Sequence, residues 1–66
     1  MDKTKIGKKL LYLRGTKSRD DVAKELGISP STLAMYETGK RIPRDETKVK
    51  IANYYDVDIV ELFYTA

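Results

Sequence analysis

Between Leu26 and Leu33 the chain reads Leu-Gly-Ile-Ser-Pro-Ser-Thr-Leu, and this stretch restricts the possible folds more than any other part of its 66 residues. A helical apolar pattern running through Val22, Ala23 and Leu26 stops at Gly27, where the chain wants a residue that tolerates a left-handed backbone. Ile28 can then point back into the core. Ser29 is a good N-cap, and Pro30 suits the first helical position, where no amide hydrogen is needed. A second helix therefore begins after a turn of about three residues, the pattern of a helix-turn-helix. Ala23 is small where the two helices would approach, and Leu33 and Tyr36, three residues apart, would pin the second onto the first. Ala23, Gly27, Ile28, Leu33 and Tyr36 all fit one steep helix crossing, whereas any one alone would mean little. The bland alternative is an αα-corner in a small bundle.

The rest of the chain is also helical in pattern. Ile6, Leu10 and Leu13 fall on one stripe, which predicts a first helix over about 4–14 ending near Gly15. Ser18 with Asp21 resembles a capping box and opens the helix that ends at Leu26. The helix after the turn covers about 30–38 and stops at Gly39. Ile42 and Pro43 close the following loop. A fourth helix runs from about Arg44 to Tyr55, with Val49, Ile51, Ala52 and Tyr55 as its apolar members, and Asp56 can take a positive φ after it. Asp58 and Glu61 form another capping-box pattern for a short fifth helix through about Tyr64. Strand signals are poor, because β-branched residues are isolated.

Length and composition narrow the functions. Sixty-six residues make one domain, 1–66, with no room for a second core. A domain this small buries only about 60% of its unfolded surface. There is no cysteine to staple it, so the core must be efficient or shared with a partner. Without His or Cys the usual metal ligands, nucleophile–base pairs and redox motifs are missing, and the four glycines are dispersed rather than gathered into a phosphate loop. The inventory predicts neither an enzyme nor a cofactor. No apolar run approaches a membrane span, and the chain reads as a soluble cytoplasmic module.

Charge is more telling by segment than in total. Residues 1–19 carry seven basic groups against Asp2, and residues 38–50 carry five against Asp45 and Glu46. The segments 20–37 and 51–66 are each net −3, and the chain as a whole is +3. Two basic blocks thus flank an acidic centre, an arrangement that could grip a polyanion on either side of it. The competing reading is surface lysine serving solubility.

The stretches "IGKKLLYLR", "SRDDVAKELGISPSTLAMYETGKRIP" and "KIANYYDVDIVELF" resemble the Cro/xenobiotic-response-element (XRE) family of phage and bacterial helix-turn-helix regulators. The likeness extends over about residues 5–63, and "YETGKRIP" is its most specific part. It implies an all-α, five-helix lambda-repressor-like domain that binds double-stranded operator DNA as a homodimer, most simply as a repressor, with the helix-turn-helix at about 19–38. On matching positions it places helix 30–38 in the major groove, with Pro30, Ser31, Thr32 and Met35 facing bases. Arg19, Ser29, Lys40, Arg41 and Arg44 would contact phosphates, which fix register without reading sequence. Arg14 and Glu37 match a structural pair joining the first helix to the end of the recognition helix.

Some features depart from the family pattern. "RGTKS" makes a first connection about two residues shorter than usual, so the first helix could end early or tilt. Pro30 and Met35 stand where polar base readers are common, which moves weight toward DNA shape. Lys48 falls on the inward stripe of the fourth helix, its stem along the core and its amine reaching water. No effector or oligomerisation domain is expected after the fifth helix. Tyr54, Ile59, Leu62, Phe63 and Tyr64 are more apolar groups than one small core needs and are expected to form the dimer seam. Relief of repression would need an antirepressor or other regulatory protein. The alternative function is a protein-interaction module on the same fold, such as an antitoxin or adaptor. RNA binding is disfavoured, because no aromatic platform lies among the basic residues.

Overall fold

The computed structural model describes residues 1–65. Among them the chain forms five helices and no strand: α1 Lys3–Arg14, α2 Arg19–Leu26, α3 Pro30–Glu37, α4 Asp45–Tyr55 and α5 Ile59–Phe63. All five expected helices are present, with ends displaced by about one residue.

Their boundaries follow from local chemistry. Asp2 caps α1, its Oδ1 accepting from the amides of Thr4 at 3.0 Å and Lys5 at 3.1 Å. This cap, which the apolar pattern does not announce, starts the helix at Lys3. Ser18 caps α2 by accepting from the Asp21 amide at 3.3 Å, and Asp58 caps α5 by accepting from Val60 at 2.8 Å and Glu61 at 3.3 Å. Despite the short connection, α1 runs its full length to Arg14 and turns at Gly15.

Three helices end in the same paired-bond motif. After α2 the amides of Gly27 and Ile28 donate to the carbonyls of Lys24 and Ala23; after α3 those of Gly39 and Lys40 donate to Tyr36 and Met35; after α4 those of Asp56 and Val57 donate to Asn53 and Ala52. Each motif needs a left-handed residue, here Gly27 at φ 72°, Gly39 at φ 75° and Asp56 at φ 55°. Aspartate is tolerated there because its short polar side chain strains the backbone least after glycine and asparagine.

The core draws on every helix. Ile6 and Leu10 of α1 meet Val22, Ala23 and Leu26 of α2, Leu33 and Tyr36 of α3, Ile51 of α4, and Leu62 and Phe63 of α5. Two expectations need correction. Val49 faces solvent at 49% exposure, because Lys48 takes the inward place beside Ile51 and Ala52. The Lys48 amine does not reach open water: it donates to the Tyr64 hydroxyl at 3.0 Å, lies 4.6 Å from the centre of that ring and sits 3.6 Å from an Asp45 oxygen. A buried ammonium demands such partners, and they fasten α4 to the residues that follow α5.

The Tyr55 hydroxyl is buried and has no hydrogen-bond partner among the described residues. Burial, and after it the charge of Glu37, push its pKa up from 10.0 to about 12. A raised native pKa favours the neutral phenol in the folded state. Its contribution to stability is therefore whole below about pH 10 and is lost as the pH climbs toward about 12. Tyr55→Phe should abolish this part of the alkaline loss and leave stability near neutral pH unchanged or slightly higher, since an unpartnered buried hydroxyl adds nothing to the fold. Urea unfolding of both proteins at pH 8 and pH 11 checks this. Tyr54 is also raised, first through its bond to Glu25, and is present in both proteins.

Candidate nucleic-acid interface

The interface begins with the elbow between α2 and α3. The paired bonds at Gly27 and Ile28 stop α2, and Ser29 restarts the chain two residues later, its Oγ accepting from the Thr32 amide at 3.0 Å. The same hydroxyl donates to Thr32 Oγ1 at 2.8 Å and lies 3.2 Å from Ser31 Oγ. The head of α3 is thus a small cluster of three hydroxyls gathered on that of Ser29, with Pro30 beside it. Ser29, Pro30 and Ser31 are exposed, while Thr32 and Met35 are half-buried. Hydroxyls donate or accept as a base edge requires, and the head of a helix favours anions.

The opposite face of α3 makes the helix rigid. Leu33 and Tyr36 are buried, and so is Glu37, whose carboxylate is held between two guanidiniums: Arg14 Nε donates to Oε2 at 2.7 Å and Arg19 Nε to Oε1 at 2.9 Å. The Arg14 pairing is the one the family resemblance implies. The Arg19 pairing is additional and could not be read from the sequence, because residues 18 positions apart meet only through the elbow. Arg14 also donates through Nη1 to the Lys17 carbonyl at 2.8 Å, which braces the loop before α2.

Beyond α3, Gly39 presses its backbone on the start of α1: a Cβ there would lie 3.1 Å from the Thr4 Cα. The amides of Lys40 and Arg41 both donate to the Met35 carbonyl, at 2.9 and 3.2 Å. That backbone anchor fixes where the two side chains leave the chain, and both are exposed. Arg44 is exposed at the N-cap of α4 and makes no side-chain cap bond. Of the expected phosphate-contacting residues, Ser29 joins the head of α3, Arg19 is tied to its end through Glu37, and Lys40 and Arg41 follow it directly.

Two of the residues expected in a dimer seam are interior. Leu62 is 3% exposed and Phe63 fully buried in the protomer's own core, so neither has surface to offer a partner. Their apolar character is used in closing α5 onto α1 and α4. Tyr54 is half-buried and donates its hydroxyl to Glu25, tying α4 to α2, while Ile59 packs against the core with part of its surface free. Tyr64 remains 50% exposed, and Val60, which the sequence pattern did not single out, is 52% exposed.

A family model described as helix-turn-helix matches residues 9–62. The chain belongs to the XRE-type helix-turn-helix family of regulators. Two curated relatives agree with this. The helix-turn-helix protein is 38% identical over 45 residues to the cryptic phage CTXphi transcriptional repressor RstR of Vibrio cholerae, covering 68% of this chain and 40% of that one. It is 37% identical over 57 residues to an uncharacterized HTH-type transcriptional regulator of Methanocaldococcus jannaschii, covering 83% of this chain and 86% of the relative. The match therefore spans well under half of the Vibrio repressor but most of the archaeal protein. No solved structure matches significantly. No helix of the described residues is long and apolar enough to cross a membrane.

Proposed function

We propose that this helix-turn-helix protein binds a specific sequence in double-stranded DNA and represses transcription by occupying a promoter, two copies reading an inverted repeat. The observation that carries this is the exposed, hydroxyl-lined head of α3 on a rigid elbow, followed directly by the anchored cations Lys40 and Arg41. A relative named as a transcriptional repressor supports the sign of regulation. In this reading Ser31 and Thr32 hydrogen-bond base edges, and Pro30 and Met35 pack on apolar groups such as the thymine methyl. Arg19, Ser29, Lys40, Arg41 and Arg44 meet phosphates.

A protomer measuring 27 × 22 × 22 Å suits a pair whose recognition helices lie one DNA turn apart, about 34 Å. Ile59, Val60 and Tyr64 form the seam, with Tyr54 at its edge. Selection of bound duplexes from a random pool tests the whole reading: an inverted repeat with turn-spaced halves is expected, and a pool with no enriched sequence sinks it.

Salt dependence separates the two kinds of contact. Lys40→Ala and Arg41→Ala should each weaken binding to selected and random duplexes alike, and each should lower the log–log salt slope by about 0.9. Ser31→Ala or Thr32→Ala should leave the slope unchanged and alter which base is preferred at one position in each half-site. Fluorescence anisotropy titrations at several salt concentrations distinguish these outcomes.

A further inference from the structure

We propose that Glu37 is a positioning residue for DNA recognition: it holds Arg19 by one edge so that the free end of the guanidinium meets a backbone phosphate beside the head of α2. The proposal rests on the duplex-binding reading above. Its basis is the unequal use of two arginines on one buried carboxylate. The Glu37 side chain is fully buried, and Arg14, 17% exposed, is committed to architecture through both Glu37 and the Lys17 carbonyl. The Arg19 side chain is 39% exposed, reaches Glu37 only through Nε, and has no other hydrogen bond to the described residues. A guanidinium has five donors in a planar fork, so a bond at Nε leaves the terminal nitrogens free for a bidentate contact to phosphate.

Charge at this spot explains the need. The first turn of α2 carries Asp20 and Asp21, which repel a phosphate approaching that end. One carboxylate shared by two arginines leaves net positive charge there, and the exposed arginine presents it. A loose arginine surrenders rotamer freedom when it meets DNA, whereas one already held by Glu37 surrenders it on folding, which favours the bound state. Lysine could not do the same, since a single ammonium has no planar fork to bridge carboxylate and phosphate.

The test uses the full chain and a duplex selected from a random pool. Affinity is measured against salt for the wild type, Arg19→Met, Glu37→Gln and the double variant, each checked for helicity by circular dichroism. Arg19→Met should bind about tenfold more weakly near 0.1 M salt, with the slope lower by about 0.9. Glu37→Gln should weaken binding several-fold when Arg19 is present and have no further effect when it is Met. An equal effect in both backgrounds, or an Arg19→Met slope equal to the wild type's, overturns the proposal.

A second measurement needs no substitution. The Arg19 Nε–H resonance of the wild-type protein should exchange slowly with water in both the free and the duplex-bound states. Its loss to rapid exchange on binding would show that Arg19 leaves Glu37 and would overturn the proposal even if Glu37→Gln does not fold. A wild type that binds no duplex removes the functional reading and this one together; a wild type that binds while Arg19→Met matches it removes only this one.

Discussion

Phe63→Ala is expected to remove a large share of the chain's stability. Phe63 is fully buried and is the largest of the fully buried side chains. Truncating a buried phenylalanine costs about 3–5 kcal/mol through lost burial and the cavity that remains. A 66-residue domain has only about 3–10 kcal/mol of stability to lose. Thermal unfolding followed by circular dichroism at two protein concentrations checks both size and origin. Loss of a core residue lowers the midpoint by a similar amount at both concentrations, whereas loss of a seam residue of the proposed dimer removes the concentration dependence of the midpoint. On the proposed dimer, Tyr64→Ala and Ile59→Ala should behave in the second way. A Phe63→Ala protein that folds as stably as the wild type would overturn the interior placement of Phe63.

Gly7→Val should be nearly as damaging, for the opposite reason. At Gly7 the backbone of α1 crosses the end of α3, and a Cβ would lie 2.5 Å from the Glu37 carbonyl oxygen and 3.0 Å from that of Tyr36. Both obstacles are backbone atoms, so no rotamer change relieves the clash. α1 has to lift away from α3, at a cost of about 1–3 kcal/mol or more for overpacking. The displacement strikes where Glu37 binds Arg14 and Arg19, so a buried carboxylate would lose partners as well. Urea unfolding should show a lower midpoint for Gly7→Ala and a still lower one for Gly7→Val. If valine is tolerated as well as glycine, the two helices do not approach as closely as they do here.

The elbow was legible in the residues because each of its parts is a local backbone requirement. Gly27 stops one helix, Ser29 and Pro30 start the next, and Ala23, Leu33 and Tyr36 keep the spacing; each acts within a few residues along the chain. Asp56 was readable for the same reason. The Asp2 cap is local too, yet it lies ahead of any apolar residue, so periodicity gives it no mark. The stripe of α4 places Lys48 inward, but where its amine ends depends on Tyr64, 16 residues away.

Leu62 and Phe63 are interior where the sequence pattern suggests a partner-facing surface, because an apolar residue on a short helix can close its own core or face another copy. Periodicity distinguishes inside from outside only once the neighbouring helices are placed. The role of Gly7 was hidden likewise: a glycine within a helix looks like a weak helix former until another backbone is seen against it.

Local chemistry along the chain was enough to specify five helices, their ends and the sharp turn before α3, because caps, left-handed stops and apolar stripes act over one or two turns. Tertiary packing alone decided that Glu37 receives two arginines, that Gly7 lies against the α3 backbone and that Phe63 is interior. Those contacts join residues at least 18 positions apart, and their energy comes from burial and pairing that exist only after the helices have docked.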